Sequence, residues 1–448
     1  MTEDALSVIQ PLIQTAEKEG ADEVELYALS RSEKTVNFQT SSLKSASGSR
    51  VQGVGIRVLV DKSLGFASAN SFDKGRIIEA LQDAVSIAKT TPSMDHYFLS
   101  KPQKIKSVKD LYSKDTANLS MTGAIEYGKT LLKHISEIDS RLSVESGFLT
   151  SRVDEHAITT STGIESTEMK TALSWQVLGW AVDGEDIGSF DFEVGSVVSD
   201  KDMNLEAVAK MFADKVLQNL GANRSDSFKG TAIFSPEAAY DLVDMLITSA
   251  KATAVQSGSS FLQDKLGESI AIPDLTITDD GSTPNIPSSS SFDREGVPHK
   301  PTKILDAGVL KGFLYNTFTA NKDGLSSTGH ASGGFRSAPD IGATHTEIHK
   351  GKISFEKMLS EVDQGIYIQR VSMDPDYTSG DFSAVMKGGQ LIENGERKMT
   401  LKEMTVTGNL FDALKNITGI SKEQKSWRTP DVSWLLPYLR IENLDFAS

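Results

Sequence analysis

Hydrophobic residues recur with helical spacing at four places in the first half of the chain. Apolar side chains three and four residues apart predict helices at about 3–19, 73–90, 120–137 and 203–220. Each segment has one apolar face that would pack against a core and one polar face. Pro11 lies inside the first segment and predicts a kink or a break, because proline removes a backbone donor.

Runs rich in β-branched and aromatic residues fill the intervals between these helices and predict strands. The order helix, four strands, helix occurs twice, which favours a duplication within the N-terminal half. The predicted strands are 23–31, 34–42, 50–60, 64–70, 141–150, 155–162, 165–183 and 188–198.

The C-terminal half has a different pattern, in which short strands alternate with turns rich in Gly, Pro and Ser. A strand is followed by a helix that begins at Ser235 and Pro236, since serine caps helices and proline suits the first turn. A short helix near 354–362 and a strand at about 432–446 follow later in the chain. These features predict an α+β fold with mostly antiparallel sheets and flanking helices.

The same patterns divide the chain into domains. We predict an N-terminal α+β domain at 1–95 and a middle α+β domain at 119–224, joined by a linker at 96–118 that has little periodicity. Residues 225–448 are predicted to form a β-rich C-terminal domain. The length of 448 residues is consistent with this number of domains.

The composition excludes several classes of chemistry. The chain has no cysteine, so disulfides, thiolate catalysis and cysteine-bound metals are excluded. It has 61 acidic and 46 basic residues and a net charge of −15, which disfavours direct binding of nucleic acid. It has no basic leader and no run of about 18 apolar residues, so we predict a cytoplasmic location and no membrane partner.

Common catalytic motifs are absent. The sequence contains neither a phosphate-binding Gly-x-x-x-x-Gly-Lys-Ser/Thr loop nor a Gly-x-Ser-x-Gly nucleophile elbow. None of the seven His is followed by Glu, so the sequence has no His-Glu-x-x-His zinc motif. Gly53-Val54-Gly55 lies within a predicted strand, where it indicates a close approach of another part of the chain or a bulge.

One short segment, from His345 to His349, places metal-ligating residue types at alternate positions. The alternation predicts a strand with His345, Glu347 and His349 on one face. These side chains could hold a metal, or they could form the polar, solvent-facing side of an edge strand. The sequence leaves both interpretations open.

The helix after Ser235 carries acidic residues on one side. Glu237, Asp241 and Asp244 are spaced so that they could offer oxygen ligands to a hard cation. The alternative is that they form the solvated face of an amphipathic helix.

Four further candidates lie in predicted loops, where side chains are free to contact a ligand. They are His330, Arg336, Asp293 and Glu295. Asp293 and Glu295 belong to the segment SFDREG, in which they could instead order a turn.

Four longer segments together resemble the TldD/PmbA family, whose members were formerly called modulators of DNA gyrase. They are 53–70, 259–280, 291–329 and 377–396, which begin GVGIRVLV, SSFLQDKL, SFDREGVP and YTSGDFSA respectively. The segments follow the order seen in the family, and the resemblance covers essentially the whole chain.

The family has two branches, and this chain resembles the PmbA/TldE branch. TldD-like members resemble zinc peptidases and carry His-Glu-x-x-x-His on a helix, with a Cys as a further ligand. The matching positions in this chain are Asp241, Leu242 and Leu246. Leucine has no donor atom for zinc and cannot accept a proton, so the motif is degenerate here.

The resemblance implies a PmbA/TldE-like subunit of a TldD/TldE-type metallopeptidase that degrades or processes unfolded peptides. Zinc is expected in a TldD-like partner, with no cofactor in this chain, and the chain is expected to form a homo- or hetero-oligomer. His330, Arg336, Asp293 and Glu295 are the candidates for peptide contacts. Two alternatives stay open, namely a stand-alone metallopeptidase with an atypical metal site and a non-enzymatic peptide-binding or scaffold protein.

Overall fold

The computed structural model describes residues 5–448, and its N-terminal half alternates α-helices and strands. The helices are Ala5–Ile9 (α1), Leu12–Lys18 (α2), Lys74–Ala88 (α3), Lys114–Ala117 (α4), Met121–Ile138 (α5) and Leu205–Leu217 (α6). The strands are Glu23–Gln39 (β1), Ser42–Val60 (β2), Ser63–Ala69 (β3), Leu142–Thr160 (β4), Glu165–Asp183 (β5), Asp186–Ile187 (β6) and Asp191–Val197 (β7).

The helices predicted for this half are confirmed, except that positions 3 and 4 lie outside the described residues. Pro11 separates α1 from α2, as expected of a residue that cannot donate a backbone hydrogen bond. Asp73, Ser120 and Asn204 cap α3, α5 and α6 by accepting a hydrogen bond from a backbone N–H of the first turn. Across residues 5–448, no helix combines the length and apolar character needed to cross a bilayer.

One antiparallel sheet unites the N-terminal half. Its strand order is β3-β2-β1-β4-β5-β6, and β7 also pairs with β5. Because β1 pairs along its length with both β2 and β4, strands from the predicted ranges 1–95 and 119–224 lie side by side. The domain boundaries themselves remain a prediction.

The sequence predicted two turns that the structure does not contain. Breaks were expected between 31 and 34 and between 150 and 155, but β1 and β4 run through both positions. Ser32, in the polar part of β1, pairs with Arg50 on one side and Val153 on the other. A central strand is hydrogen-bonded on both sides, so the ladder overrides a local run of polar residues. Each half of the repeat therefore has three main strands between its helices instead of four.

Two apolar cores lie on this sheet. Ile56 of β2 and Leu81 of α3 belong to the first core and are fully buried. Leu149 of β4 and Phe212 of α6 belong to the second, where α5 and α6 pack on each other and on the sheet. Burial of these faces is the main driving force for both halves of the repeat.

The C-terminal half is built mainly of short strands. Its helices are Pro236–Ser249 (α7), Ala252–Gln256 (α8), Thr317–Lys322 (α9), Phe355–Ser360 (α10) and Leu410–Lys415 (α11). Its strands are Phe228–Phe234 (β8), Ile277–Asp279 (β9), Thr302–Asp306 (β10), Val309–Leu310 (β11), Ala331–Ser332 (β12), Asp340–Ile341 (β13), His345–Ile348 (β14), Gln364–Pro375 (β15), Asp381–Glu393 (β16), Glu396–Leu401 (β17), Thr405–Asn409 (β18), Ile417–Arg428 (β19) and Ser433–Ala447 (β20).

An eleven-stranded sheet organises this half. Its path is β11-β10-β9-β14-β20-β18-β16-β15-β8, with β17 on β16, β19 on β20 and a further pairing of β20 with β8. The pairs β14–β20 and β15–β8 are parallel, and the other strand pairs of this path are antiparallel. Helix α7 packs on β15 and β20 in the largest apolar core. The prediction of an α+β fold with mostly antiparallel sheets is confirmed.

The beginning of α7 is fixed by its cap. The Ser235 hydroxyl accepts hydrogen bonds from the Glu237 and Ala238 N–H groups, each at 3.1 Å, and Pro236 occupies the first turn. The same hydroxyl donates to the Gln369 carbonyl oxygen at 2.5 Å. The predicted cap is therefore confirmed, and it also ties α7 to β15.

The Gly53-Val54-Gly55 segment of β2 is a site of close approach, as one of the two sequence interpretations predicted. A methyl group built on Gly53 would lie 2.2 Å from the Phe335 ring, and one on Gly55 would lie 2.7 Å from the Phe335 carbonyl oxygen. The loop that precedes β13 therefore packs directly on β2, which only glycine permits.

Replacing Gly53 with Ala should destabilise the chain by about 2 kcal/mol or more, because the new methyl group overlaps Phe335 and the Ala69 carbonyl oxygen. Urea unfolding followed by circular dichroism measures the change. Gly48→Ala is the matched control, since its methyl group would lie 3.8 Å from the Glu33 carbonyl oxygen. Equal stability of the two variants would contradict the close approach.

Candidate functional site

Helix α7 has two sides with different chemistry. Leu242 and Leu246 face the core and are 2% and 0% exposed. Glu237, Asp241 and Asp244 lie on the opposite side and are partly exposed. Residues four and three positions apart lie in line on a helix, so these carboxylates form one stripe along α7.

Two adjoining cavities open at the beginning of α7. The smaller has a volume of 210 Å³ and is lined by Asp241, Tyr240 and Arg370, among others. The larger has a volume of 570 Å³ and shares Glu237 and Trp427 with the smaller one. Both cavities also receive residues from the N-terminal half, so they lie between the two halves of the chain.

A buried lysine joins the two halves at these cavities. The Lys215 ammonium of α6 lies 2.5 Å from a carboxylate oxygen of Glu193 and 2.5 Å from one of Glu237. Burial opposes its charge, but the carboxylates of Glu237 and Glu193 raise the pKa of Lys215 above its ordinary value. The charged amine therefore holds α6 and β7 against the first turn of α7.

Arg370 of β15 forms a second link with the N-terminal half. Its Nε donates to the Asp191 carboxylate at 3.2 Å, and its Nη2 donates to the Phe190 carbonyl oxygen at 3.2 Å. The guanidinium also lies 5.1 Å from the centre of the Phe192 ring. Burial raises the pKa of Asp191, although Arg370 opposes this effect. Arg370 is thus occupied by existing partners.

Asp241 is the carboxylate whose ionisation the site disturbs most clearly. Burial and the neighbouring Asp244 raise the pKa of Asp241 from 3.8 to about 7, against the attraction of Arg370. Burial also raises the pKa of Asp244. Both shifts have the same cause, because these carboxyl groups lose water without gaining an ion pair of comparable strength.

The side chains of α7 do not fit a zinc ion. Of the three positions matched to the His-Glu-x-x-x-His motif, Leu242 and Leu246 lie inside the core and have no donor atoms, which leaves Asp241 alone. Elsewhere in the described part of the chain, no three His, Asp or Glu side chains are grouped so that they could hold a metal.

The segment from His345 to His349 forms strand β14, as predicted for most of its length. His345, Glu347 and His349 line one cavity of 470 Å³, so they do share a face. Glu347 accepts a hydrogen bond from Gln424 at 3.0 Å, and burial lowers the pKa of His345. Within residues 5–448 they do not form a metal-binding group. The strand is not at an edge, because it pairs with β9 and β20.

His330 is buried and is not placed to contact a ligand at the surface. It is 1% exposed, with Nδ1 2.9 Å from Thr328 Oγ1 and Nε2 3.0 Å from Asp279 Oδ1. Burial opposes ionisation of Asp279, but hydrogen bonds from His330, Thr344 and Thr346 hold its pKa well below the usual range. The pair therefore stabilises the loop internally.

Asp293 and Arg336 have different surroundings. Asp293 is 4% exposed and accepts hydrogen bonds from the N–H groups of Glu295, Val297 and Ala331 at 2.8 to 2.9 Å. It orders a turn, which was the alternative drawn from the sequence. Arg336 is exposed and donates to Asn70, so it is the one of the four loop candidates that lies at the surface.

Glu295 belongs to a buried cluster of four charges between the two halves. Arg57 donates to Glu25 and, at 2.6 Å, to Glu295, while Arg294 donates to Glu25 at 2.8 Å. The four side chains are 1% to 3% exposed. Arg294 also lies 3.9 Å from the centre of the Tyr27 ring. Burial would raise the pKa of Glu295, but Arg57 holds it below the usual value.

Sequence reasoning missed most of these charges. Glu25 lies in the buried stretch 24–30 of β1, Arg57 lies in the buried stretch 53–59 of β2, and Lys215 follows Phe212 on the buried face of α6. A charge at a core position is the available signal, because burial of an unpaired ion is costly and implies a partner. The identity of that partner could not be read from the sequence.

Replacing Arg57 with Met should destabilise the chain by about 3–5 kcal/mol, because Glu25 and Glu295 would remain buried without their shared cation. Denaturant unfolding measures the difference. Arg141→Met is the control, since Arg141 forms exposed ion pairs that are worth less than about 1 kcal/mol. If Arg57→Met lowers the free energy of unfolding no more than Arg141→Met does, the cluster is ruled out as a stabilising element.

Asp241 should make the stability of the chain depend on pH. Because its folded pKa is raised, its favourable contribution is complete below the ordinary value of 3.8 and is lost as the pH rises through about 7. Asp241→Asn should therefore match the parent at pH 4 and be more stable by at least about 1 kcal/mol at pH 8. Thermal unfolding at both pH values, with the exposed Asp83→Asn as control, makes the comparison. Identical pH profiles for parent and Asp241→Asn would contradict it.

The chain matches two models of one protein family. Residues 24–89 match PmbA/TldA metallopeptidase domain 1, and residues 227–448 match the PmbA/TldA metallopeptidase C-terminal domain. An uncharacterized protein of Methanocaldococcus jannaschii is 30% identical over 411 residues, which cover 91% of this chain and 93% of that protein. Metalloprotease PmbA of Escherichia coli O157:H7 is 28% identical over 402 residues, which cover 87% of this chain and 85% of that protein.

Solved structures share the fold over nearly the whole length. TldE from Thermococcus kodakarensis has a TM-score of 0.90 at 24% identity, covering 98% of this chain and 100% of its own. A Thermotoga maritima protein described as a modulator of DNA gyrase has a TM-score of 0.88 at 26% identity. The match covers 98% of this chain and 99% of that protein. Together with the sequence matches, these findings show that the chain belongs to the TldD/PmbA family of metallopeptidases.

Proposed function

We propose that this chain is the non-catalytic, PmbA/TldE-like subunit of a TldD/TldE-type metallopeptidase complex that processes unfolded peptides in the cytoplasm. The observation that carries the proposal is the chemistry of α7. A zinc peptidase needs three metal ligands and a general base, whereas Leu242 and Leu246 supply neither. Zinc and hydrolysis are assigned to a TldD-like partner.

The surroundings of α7 support a role beside a partner subunit. Large apolar side chains lie exposed at or near the cavities, with Met211 41% exposed and Phe190 43% exposed. We expect the partner chain to cover these apolar groups in the complex. Arg336 remains the proposed peptide contact among the loop candidates.

Co-expression with a TldD-like relative that carries His-Glu-x-x-x-His tests the proposal. The two full-length chains should co-elute in size-exclusion chromatography, and the complex should cleave an unstructured fluorogenic peptide in a chelator-sensitive reaction. This chain alone should not cleave the peptide. Met211→Glu should weaken co-elution, because it places a charge in the apolar contact, whereas Ile87→Glu on α3 should not.

Each alternative predicts a different result. Chelator-sensitive cleavage by this chain alone would support a stand-alone metallopeptidase and overturn the proposal. If the two chains fail to co-elute and the mixture gains no cleavage, the remaining alternative is favoured, namely a peptide-binding or scaffold protein.

A further inference from the structure

The partly exposed side of α7 faces a second acidic wall. That side of the helix carries four polar residues at intervals of four, three and four positions, namely Glu237, Asp241, Asp244 and Thr248. Beyond Thr248 lies a cavity of 890 Å³ whose opposite wall comes from the end of β15 and the start of β16. That wall carries the carboxylates of Asp374, Asp376 and Asp381.

The cavity at Thr248 and the 210 Å³ cavity at Asp241 belong to one acidic surface. Tyr240 lines the 210 Å³ cavity, and Tyr377 lines the 890 Å³ cavity. Beyond the effect of burial, the charges of Asp244 and Asp241 raise the pKa of both phenols, so these carboxylates lie close to both rings. We call the side of α7 from Glu237 to Thr248, with its facing wall, the acidic groove.

Two of the cations near the acidic groove are already engaged, while a third, Lys251, lies near Asp244 and opposes the rise in the pKa of that carboxyl. Lys215 lies between Glu193 and Glu237, and Arg370 is bound to Asp191. On the facing wall, the partners of the carboxylates are neutral. Asp376 accepts backbone N–H groups, and Asp381 accepts a hydroxyl and a side-chain amide. Above the raised pKa of Asp241, the carboxylates of the groove therefore outnumber the nearby cations, and this excess of negative charge favours binding of an external cation.

A second observation points to a bound group. Ser249 is 1% exposed and lines the 890 Å³ cavity. Its hydroxyl has no hydrogen-bond partner among the described residues. A buried hydroxyl without a partner costs about 1–3 kcal/mol. Such a group is expected where a ligand completes the hydrogen bond. At the other end of the groove, the rings of Tyr240 and Trp427 line the 210 Å³ cavity, and aromatic rings can attract a cation.

We propose that the acidic groove binds a basic segment of an unfolded peptide through its Lys or Arg side chains. This proposal rests on the proposed function, because it names the kind of peptide that the complex would receive from this subunit. Helix α7 has 14 residues and is about 20 Å long, which matches about six residues of an extended peptide. Cationic side chains would meet carboxylates on both walls, and a backbone or side-chain group would reach the Ser249 hydroxyl.

Fluorescence anisotropy on the isolated full-length chain tests this directly. The probes are three labelled twelve-residue Gly/Ser peptides of the same length, carrying three Lys, three Gln or three Glu. The Lys peptide should bind, the Gln peptide should bind at least about tenfold more weakly, and the Glu peptide should not bind. The affinity for the Lys peptide should fall as salt rises from about 0.05 to 0.5 M, since the groove is partly exposed.

Variants separate the groove from the overall charge of the protein. Asp241→Asn/Asp244→Asn should weaken binding of the Lys peptide at least about fivefold. Glu79→Gln/Asp83→Asn removes the same charge from the exposed side of α3 and should leave the affinity within about twofold. Ser249→Ala should weaken binding without lowering stability in urea, because the free chain loses a hydroxyl that has no partner.

Equal binding of the Lys and Glu peptides would overturn the proposal, as would an equal loss in the two double variants. These results would not bear on the subunit role, which is tested by co-elution and cleavage with a TldD-like chain. Selective binding of the Lys peptide by a chain that does not assemble with such a partner would instead support the groove and contradict the subunit role.

Discussion

Four buried charges hold the two halves of the chain together, and the geometry of the site depends on them. Glu25 and Arg57 face each other on adjacent strands, while Arg294 and Glu295 come from one turn of the C-terminal half. Glu25 and Arg57 pair with each other, and each also pairs across the halves, with Arg294 and Glu295 respectively. The same contact needs Gly55, because a side chain there would meet the turn and loop that carry Arg294 and Phe335.

Once the halves are docked, the site at α7 is assembled from both of them. Lys215 brings Glu193 of the N-terminal half to Glu237 of α7, and Arg370 of β15 is bound to Asp191. The cavities therefore lie between the two halves and are lined by ion-paired side chains. In the proposed role this surface would receive a peptide without a metal of its own, and the leucines inside α7 pack in the core.

The parts of the fold set by local periodicity were predictable, and those set by distant contacts were not. The helices, the Ser235 cap and strand β14 follow from spacing over a few residues. The breaks predicted in β1 and β4 were wrong because partner strands, not local polarity, decide where a central strand ends. His330 looked like a loop residue, and only the fold shows that Asp279 lies against it. That Leu242 and Leu246 cannot bind zinc could be predicted from the sequence, because leucine has no donor atom.

The central claim is that zinc belongs to a partner and not to this chain. Elemental analysis of the purified, untagged chain, alone and in complex with a TldD-like subunit, tests it most directly. The account predicts far less than one zinc per lone chain and about one zinc per complex, held by the partner. About one zinc per lone chain, resistant to dialysis and lost when His345 is replaced by Ala, would contradict it.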